Sequence, residues 1–389
     1  MTELRPSVLN HSEGSIGKGK HERLRNFLLS EIQEGRLKPG AMLSSEYDIA
    51  RSQGIARNTV RQAMAGLEQD GFIVRIHGKG TFVHEHVQER FQSNSIGLFA
   101  FVVPETQRGY YPQLLKSLNL AAEQVHHQII VCETDDQVDR QGNAILQLID
   151  REVTGVMMVP VITPFAPVFQ IRQLQNHGIP VIFLSRRMEG TRAPLIGISF
   201  EQAGQLAAKA MFDAGHQDIA LLFDSHSVAT RGYEAGFRNA VQRLTRPDSV
   251  SLRVFYEEPV SPQWTDFHLV AERFLNEAIY HSSRPVTAIF TGHESLAEIL
   301  YLKLVRAGYR VPDDVSLIGF GASKRHTEFQ KQLTSVTVDE HQMARQAVDY
   351  LERMRRKELS IQCEDVLSTP LDLYAGASLG QSVVTGVSS

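Results

Sequence analysis

Arg57, Asn58, Arg61 and Gln62 crowd the opening turns of one helix-like stretch and form a group suited to reading nucleic-acid bases. An arginine can give two parallel hydrogen bonds to a guanine edge, and an asparagine can pair with adenine in the same bidentate way. Downstream, His77-Gly78-Lys79-Gly80 supplies one lysine flanked by open backbone N–H groups, which fits a phosphate or a minor-groove edge. On an ordinary solvated face the same residues would do no chemistry, so everything depends on the elements that carry them.

Those elements are legible over residues 44–83. Ser44 and Ser45 are hydroxyl N-cap candidates, and Ser45 with Asp48 has the spacing of a capping box, which predicts a helix reaching about Gln53. Gly54 breaks it. Val60, Ala63, Met64 and Leu67 recur at i, i+3, i+4 and i+7 and predict a second helix with one buried stripe. Arg57, Asn58, Arg61 and Gln62 lie off that stripe. Gly71 ends the helix, and residues 72–76 and 81–83 read as two strands around the glycine-rich tip. With the amphipathic stretch 21–34 in front, this is the layout of a winged helix-turn-helix, whose second helix offers its N-terminal residues to the major groove.

The net charge of −4 argues against a nucleic-acid partner, but its distribution argues for one. Residues 17–83 hold 11 Lys and Arg against 7 Asp and Glu, a surplus of +4 that leaves −8 on the remainder. A modestly basic head on an acidic body suits specific DNA binding with little stray affinity for polyanions. No run approaches the roughly 20 apolar residues of a membrane span. The first twenty residues are polar and lack the apolar core of a secretory signal, so a cytoplasmic protein without membrane contact is expected. Cys132 and Cys363 stand far apart with no Cys-x-x-Cys spacing and read as ordinary thiols.

From Ser95 the hydrophobic period changes. Residues 96–103 form a near-continuous apolar run, the mark of a strand buried on both faces. Further strands are expected at 128–132, 155–160, 180–184, 218–223, 250–256, 286–291, 315–319 and 334–338, with helices between most of them. Two short strands near Val366 and Leu373 close the series, and the Ser-, Gly- and Val-rich tail from Gly376 reads as loose. Repeated βα units mean an α/β, doubly wound parallel sheet. The length of this region exceeds one such sheet of ordinary size, so two similar lobes are expected.

Enzyme motifs are incomplete. Gly319-Phe320-Gly321 has Lys324 where a dinucleotide fingerprint needs its third glycine, the Gly-Lys-Gly-Thr of the wing is not a P-loop, and His293-Glu294 lacks the second His of a zincin. Adjacent His84-Glu85-His86 cannot converge on one ion from a strand. No catalytic residue, metal site or cofactor is expected.

Residues 20–83 resemble the DNA-binding domain of the GntR family in GRLKPGAMLSSE, RNTVRQAMAGLEQDG and HGKGTFV. The resemblance implies that Arg57, Asn58, Thr59 and Arg61 lie on the recognition helix and His77, Gly78, Lys79 and Gly80 on the wing tip. Ser45, Glu46 and Tyr47, at the start of the preceding helix, join them as DNA-binding candidates. The chain departs from the family at Ser44, in place of Pro, and at Tyr47, in place of an Arg that often contacts DNA. Ala56 replaces the Ser that caps the recognition helix, a loss of typically ~1 kcal/mol.

Residues 95–375 resemble the LacI-family effector domain, and through it the type I periplasmic sugar-binding proteins. The resemblance rests on SIGLFAFVVPETQRGYYPQLLKSL, GIPVIFLSRR, AGHQDIALL, TRGYEAGFRNAV, AIFTGHESLAEIL and AGYRVPDDVSLIGF. A GntR-type head on a LacI-type body is the plan of the arabinose-repressor type of regulator. It implies a winged-helix head at 17–83, a linker at 84–94 and a two-lobed, periplasmic-binding-protein-like effector domain at 95–375. The first lobe would hold 95–190 and 323–350, the second 194–320 and the C-terminal strands.

In open α/β sheets the ligand lies beyond the C-terminal ends of the strands, here in the cleft between lobes. By the resemblance, Tyr110 and Tyr111 set aromatic groups against the ligand, and Arg186 follows a strand end. Arg231 grips hydroxyls or a carboxylate bidentately, and Trp264 forms an aromatic wall. His293 and Glu294 stand where the family commonly has Asn-Asp. Gly321 replaces the Asp usual in sugar-binding members, and Ser185 and Ser199 stand where Asp is frequent. Fewer carboxylates beside Arg186, Arg231 and His293 suit an acidic or phosphorylated sugar-like ligand, unless Glu294 restores the missing acid. The expected function is a ligand-responsive transcriptional regulator, a repressor of a carbohydrate-related operon, acting on double-stranded operator DNA as a homodimer. The alternative is a GntR-type regulator with an enzyme-derived body, cofactor-binding or aminotransferase-like.

Overall fold

The computed structural model of the protein describes residues 19–87, 97–161, 168–244, 250–256 and 266–382. The chain divides into two compact units, Met1–Ile96 and Gly97–Ser389.

The first unit contains helices α1 (Lys20–Gln33), α2 (Glu46–Gln53) and α3 (Arg57–Gln69), followed by the antiparallel pair β1 (Ile73–Ile76) and β2 (Gly80–Val83). Helix α2 starts where the Ser45 hydroxyl accepts the Asp48 N–H at 3.2 Å. It stops at Gly54, whose φ of 64° lies in the left-handed region that a residue with a β-carbon adopts at a cost. Helix α3 begins after Ala56 with no side-chain cap. Leu24, Leu28 and Ile32 of α1, Ile49 of α2, and Val60, Ala63, Met64 and Leu67 of α3 form one core, closed by Phe72, Ile73 and Val83. Val87, placed in the linker by composition, is fully buried in this core. The turn that brings it there closes with its N–H on the His84 carbonyl at 3.1 Å, so the head extends past residue 83.

The second unit holds two six-stranded sheets. One is built from β3 (Gly97–Val103), β4 (His127–Glu133), β5 (Gly155–Met158), β6 (Val181–Ser185), β7 (Leu195–Gly197) and β13 (Val366–Ser368). Its order is β13-β7-β6-β5-β3-β4, with every pairing parallel. Helices α4 (Tyr111–Glu123), α5 (Val138–Asp150), α6 (Val168–Asn176) and α12 (Glu340–Arg355) pack on it. The other contains β8 (Asp218–Phe223), β9 (Ser251–Tyr256), β10 (Ala288–Thr291), β11 (Ser316–Ala322), β12 (Thr334–Val338) and β14 (Leu371–Tyr374). Its order is β14-β12-β11-β10-β8-β9, parallel except for β14. It carries α7 (Phe200–Asp213), α8 (Val228–Leu244), α9 (Phe267–Leu275), α10 (Glu294–Arg306) and the short α11 (Glu328–Gln332). Strands β5 and β6 are buried at every residue, as strands covered by helices on both faces must be.

The chain crosses between these lobes at 198–199, 339 and 369–370. Two assignments made from the sequence change. Strand β12 pairs with β11 and β14, so residues 323–338 belong to the second lobe, and the return to the first comes only with α12. The tail from Gly376 is not loose as far as Ser382. Leu317 donates to the Ser378 carbonyl at 2.8 Å, the Ser378 hydroxyl returns a bond to Leu317 at 2.7 Å, and Ser382 donates to Ala214 at 2.8 Å. These bonds are made by backbone and hydroxyl groups, which leave no hydrophobic period to read.

Candidate functional site

In the head, α3 presents Arg57 and Arg61 with side chains 62% and 54% exposed, beside exposed Asn58 and half-buried Thr59. Their stripe-facing neighbours are locked in the core, so the helix phase fixes which residues project. One carboxylate organises the arginines. Glu46 Oε2 lies 3.5 Å from Nε of both Arg57 and Arg61, and its Oε1 lies 3.4 Å from Nη2 of Arg75 on β1. Glu46 is thus shared among three guanidinium groups, two on α3 and one on β1. Ser45 and Tyr47 are exposed beside Glu46, and His77, Gly78, Lys79 and Gly80 form an exposed tip closed by the Lys79 N–H on the Ile76 carbonyl at 3.0 Å.

Between the two lobes of the second unit lies a cavity of about 340 Å³. It is lined by residues that follow the C-terminal ends of β3, β4, β6, β8 and β10, the place where parallel sheets leave helix and loop starts open. From the first lobe come Tyr110, Tyr111 and Arg186, and from the second Asp224, His293 and Phe267. The Tyr110 and Tyr111 rings stand 4.6 Å apart, and Tyr110 meets Phe320 across the cleft edge-on at 6.2 Å. Arg186 donates from Nε to the Pro160 carbonyl at 2.7 Å and from Nη2 to Asp136 Oδ1 at 3.0 Å. Asp136 reaches it because Asp135 and Asp136 adopt successive left-handed conformations, φ 49° and 53°, which aspartate tolerates better than most residues.

On the opposite wall, His293 Nε2 stands 3.5 Å from Asp224 Oδ1. Burial pulls the imidazole pKa down, but the carboxylate outweighs it and the net shift is upward from 6.5. Burial in turn pushes Asp224 up, yet the facing imidazole holds it below its ordinary 3.8. At the mouth, the Arg108 guanidinium lies 5.2 Å from the centre of the Phe267 ring, first lobe against second.

Of the residues singled out in the sequence, Tyr110, Tyr111, Arg186 and His293 line the cavity. Arg231 does not. On α8, Thr230 and Tyr233 face the cavity, and the 3.6-residue turn puts Arg231 on the exposed side. Glu294 is buried behind the wall and pairs with Arg325 instead of reaching the cavity. Trp264 lies outside the described residues. Sequence reasoning passed over Arg108, Asp136, Asp224 and Phe267. Asp224 could have been found, since it directly follows the Ile-Ala-Leu-Leu-Phe run of β8. The shortage of carboxylates inferred from Gly321 is therefore not what the cavity has.

Among the described residues no helix is long and apolar enough to cross a membrane. Residues 20–83 match the bacterial regulatory proteins of the gntR family, and residues 208–379 match the periplasmic binding protein-like domain. The arabinose metabolism transcriptional repressor of Geobacillus stearothermophilus is 25% identical over 355 residues, covering 90% of this chain and 95% of that protein. The HTH-type transcriptional repressor PurR of Vibrio parahaemolyticus is 22% identical, covering 80% of this chain and 92% of its own length. In fold, the dimeric Lac repressor with an 11-residue C-terminal deletion matches with a TM-score of 0.60 at 18% identity, over 74% of this chain and all of that one. A LacI family regulator from Enterococcus faecium with bound ribose matches at 0.58 and 20% identity, over 72% of this chain and 99% of that one. These matches favour a sensor body over an enzyme-derived one, and the chain is a DNA-binding transcriptional regulator that joins a gntR-type winged helix-turn-helix at 20–83 to a periplasmic-binding-protein-like effector domain, whose fold is shared with LacI family regulators.

Proposed function

We propose that the protein represses a carbohydrate-related operon, binding a roughly palindromic operator as a homodimer and altering that grip when a neutral, sugar-like polyol closes the effector lobes. The head at 17–83 reads DNA through Arg57, Asn58, Thr59 and Arg61, with Lys79 between Gly78 and Gly80 on the backbone. Ser45, Glu46, Tyr47 and His77 flank the same surface. The effector domain at 95–375 takes the ligand against Tyr110, Tyr111, Arg186, Asp136, Asp224 and His293, and the residues that follow Val87 connect the two.

The observation that carries the ligand class is charge balance. Among the described residues each cation on the cavity wall already has a carboxylate: Arg186 with Asp136 at 3.0 Å, His293 with Asp224 at 3.5 Å and Arg108 with Glu105 at 3.7 Å. A wall so paired offers no net attraction to an acid or phosphate, but each pair presents a donor and an acceptor to neighbouring hydroxyls. The aromatic rings of Tyr110, Tyr111 and Phe267 suit the apolar face of a sugar ring. The arabinose-metabolism repressor and the ribose-bound regulator among its relatives support the same class.

The test has two arms. Titration calorimetry against L-arabinose, D-ribose, a sugar acid and a sugar phosphate should give binding among the neutral sugars; binding confined to the acid or phosphate would reverse the ligand class. Selection of binding sites from random duplex DNA should return a two-fold-related sequence, and the selected duplex should be released or retained differently when the sugar is added. Allosteric coupling of this kind is typically about 1–3 kcal/mol. A single unrepeated half-site would count against the dimer.

A further inference from the structure

Two hydrogen-bonded connections cross from lobe to lobe at one short segment, residues 323–326, which leaves β11 of the second lobe ahead of α11. Ser323 gives its backbone N–H to Glu340 Oε1 at 2.9 Å and its hydroxyl to Oε2 at 2.5 Å. Glu340 opens α12 of the first lobe and is fully buried. Three residues on, His326 Nε2 lies 3.4 Å from Oε1 of Gln113, a buried residue of α4 in the first lobe. Between these ties, Arg325 turns back into the second lobe and pairs with Glu294, the neighbour of His293 on the cavity wall.

The tie to Gln113 is the end of a chain for which one consistent set of donors and acceptors can be written. The Ser117 hydroxyl donates to the Gln113 carbonyl at 2.8 Å, so its oxygen accepts from His341 Nδ1 at 3.0 Å. His341 Nε2, then bare, accepts from Gln113 Nε2 at 3.3 Å, which turns Gln113 Oε1 toward the His326 N–H. Each group has one role, and the series runs without conflict from α12 through α4 to the second lobe.

We propose that segment 323–326 is a positioning clasp: Ser323 and His326 hold the lobes at the spacing that shapes the effector cavity, while Arg325 ties the same segment to the wall at His293. None of the clasp residues lines the cavity, so they act on the ligand through lobe position alone. A ligand that moves His293 moves Glu294, Arg325 and the segment with it, and the two ties pass that movement to the first lobe. The meaning of the clasp rests on the effector reading, but its test does not.

Spin labels on Leu146→Cys of α5 and Leu302→Cys of α10, both exposed, report the distance between lobes by pulsed electron resonance. The full chain is used, carrying Cys132→Ser and Cys363→Ser, without any ligand. The parent should give one dominant distance. Ser323→Ala with Gln113→Leu should move population to longer distances and lower the closed-to-open ratio roughly tenfold or more, the scale of losing a hydrogen bond to a charged group. Lys209→Ala, which removes an exposed pair with Asp213 inside α7, should leave the parent distance unchanged. Parent-like distances in the double variant overturn the clasp, as does an equal shift in Lys209→Ala. Should the double variant lose its circular dichroism, Ser323→Ala alone removes one surface hydroxyl and must still lengthen the distance, by less. Failure of every sugar to bind would overturn the effector reading and leave these distances as they are.

Discussion

A β-carbon on Gly321 would collide with the Glu294 carboxylate, so the bare glycine lets that acid lie against β11 and reach Arg325. The two side chains are only 9% and 5% exposed, and the guanidinium also rests 4.7 Å from the centre of the Tyr374 ring. The acid next to His293 is thereby withdrawn from the ligand and spent on the structure. Arg325→Met should leave a buried carboxylate unpaired and destabilise the effector domain by about 3–5 kcal/mol. Adding Glu294→Leu should recover most of that loss, since an apolar pair needs no counter-charge. Urea unfolding followed through the single Trp of the chain measures both. Additive losses in the double variant would mean that the two residues do not act as a pair.

The recognition helix carries a second prediction. Arg57→Ala and Arg61→Ala should each flatten the preference for the selected operator over unrelated duplex. Lys79→Ala should weaken all sequences evenly and lower the log–log salt slope by about 0.9, the loss of one phosphate contact. Glu46→Gln, which loosens the hold on both arginines, should reduce sequence preference without changing that slope. Anisotropy titrations at several salt concentrations separate these outcomes. Intact discrimination in both arginine variants would remove α3 from the interface.

Helix α3 lacks a side-chain cap at Ala56, whose φ of −67° and ψ of 140° already suit a capping serine. Ala56→Ser should therefore stabilise the head by roughly 0.5–2 kcal/mol. Hydrogen exchange in the first turn of α3, in the full chain, should slow accordingly. Unchanged exchange would place the weak point of the helix elsewhere.

The His293–Asp224 pair gives a pH dependence with a definite sign. His293 has its folded pKa raised, so its contribution is complete below 6.5 and is lost as pH rises through the raised value. Asp224 has its folded pKa lowered, so its contribution is present above 3.8 and is lost only as pH falls through the lower value. The effector domain should lose stability as pH climbs from 6.5 through the raised value. The slope should be shallow, because the imidazole is 43% exposed and its charge is screened. His293→Asn should abolish it. A slope that survives the substitution would belong to another group.

How far the sequence carried depended on whether a feature was periodic. The α3 stripe of Val60, Ala63, Met64 and Leu67 and the apolar runs of β3, β5 and β6 were legible because repetition at 3.6 residues, or unbroken burial, is written in residue type. Strand β7 has three residues and Ser378 is held through its carbonyl and hydroxyl, so neither leaves a hydrophobic pattern. At the cavity, positions just past strand ends could be read, which brought out Tyr110, Arg186 and His293. Helix phase could not, and Arg231 was set against the ligand when its neighbour Thr230 faces the cavity. Asp136 was hidden for a different reason: two consecutive left-handed residues aim it, and nothing in its type announces that conformation.

Arg186 and Arg231 make the sharpest test of the cavity, because both were expected against the ligand and only Arg186 lines it. Arg186 is fixed by the Pro160 carbonyl and Asp136 with its side chain 17% exposed, so it meets a ligand without first being ordered. Arg186→Ala should lower affinity for the bound sugar at least tenfold, the scale of a lost charge-assisted hydrogen bond. Asp224→Asn should weaken it from the other lobe. Arg231→Ala, on the solvent side of α8, should leave affinity within about twofold, as a surface substitution does. Calorimetry on the three variants, each with its thermal unfolding recorded as a control for folding, decides the matter. A lost response in Arg231→Ala together with an intact one in Arg186→Ala would move the ligand out of this cavity.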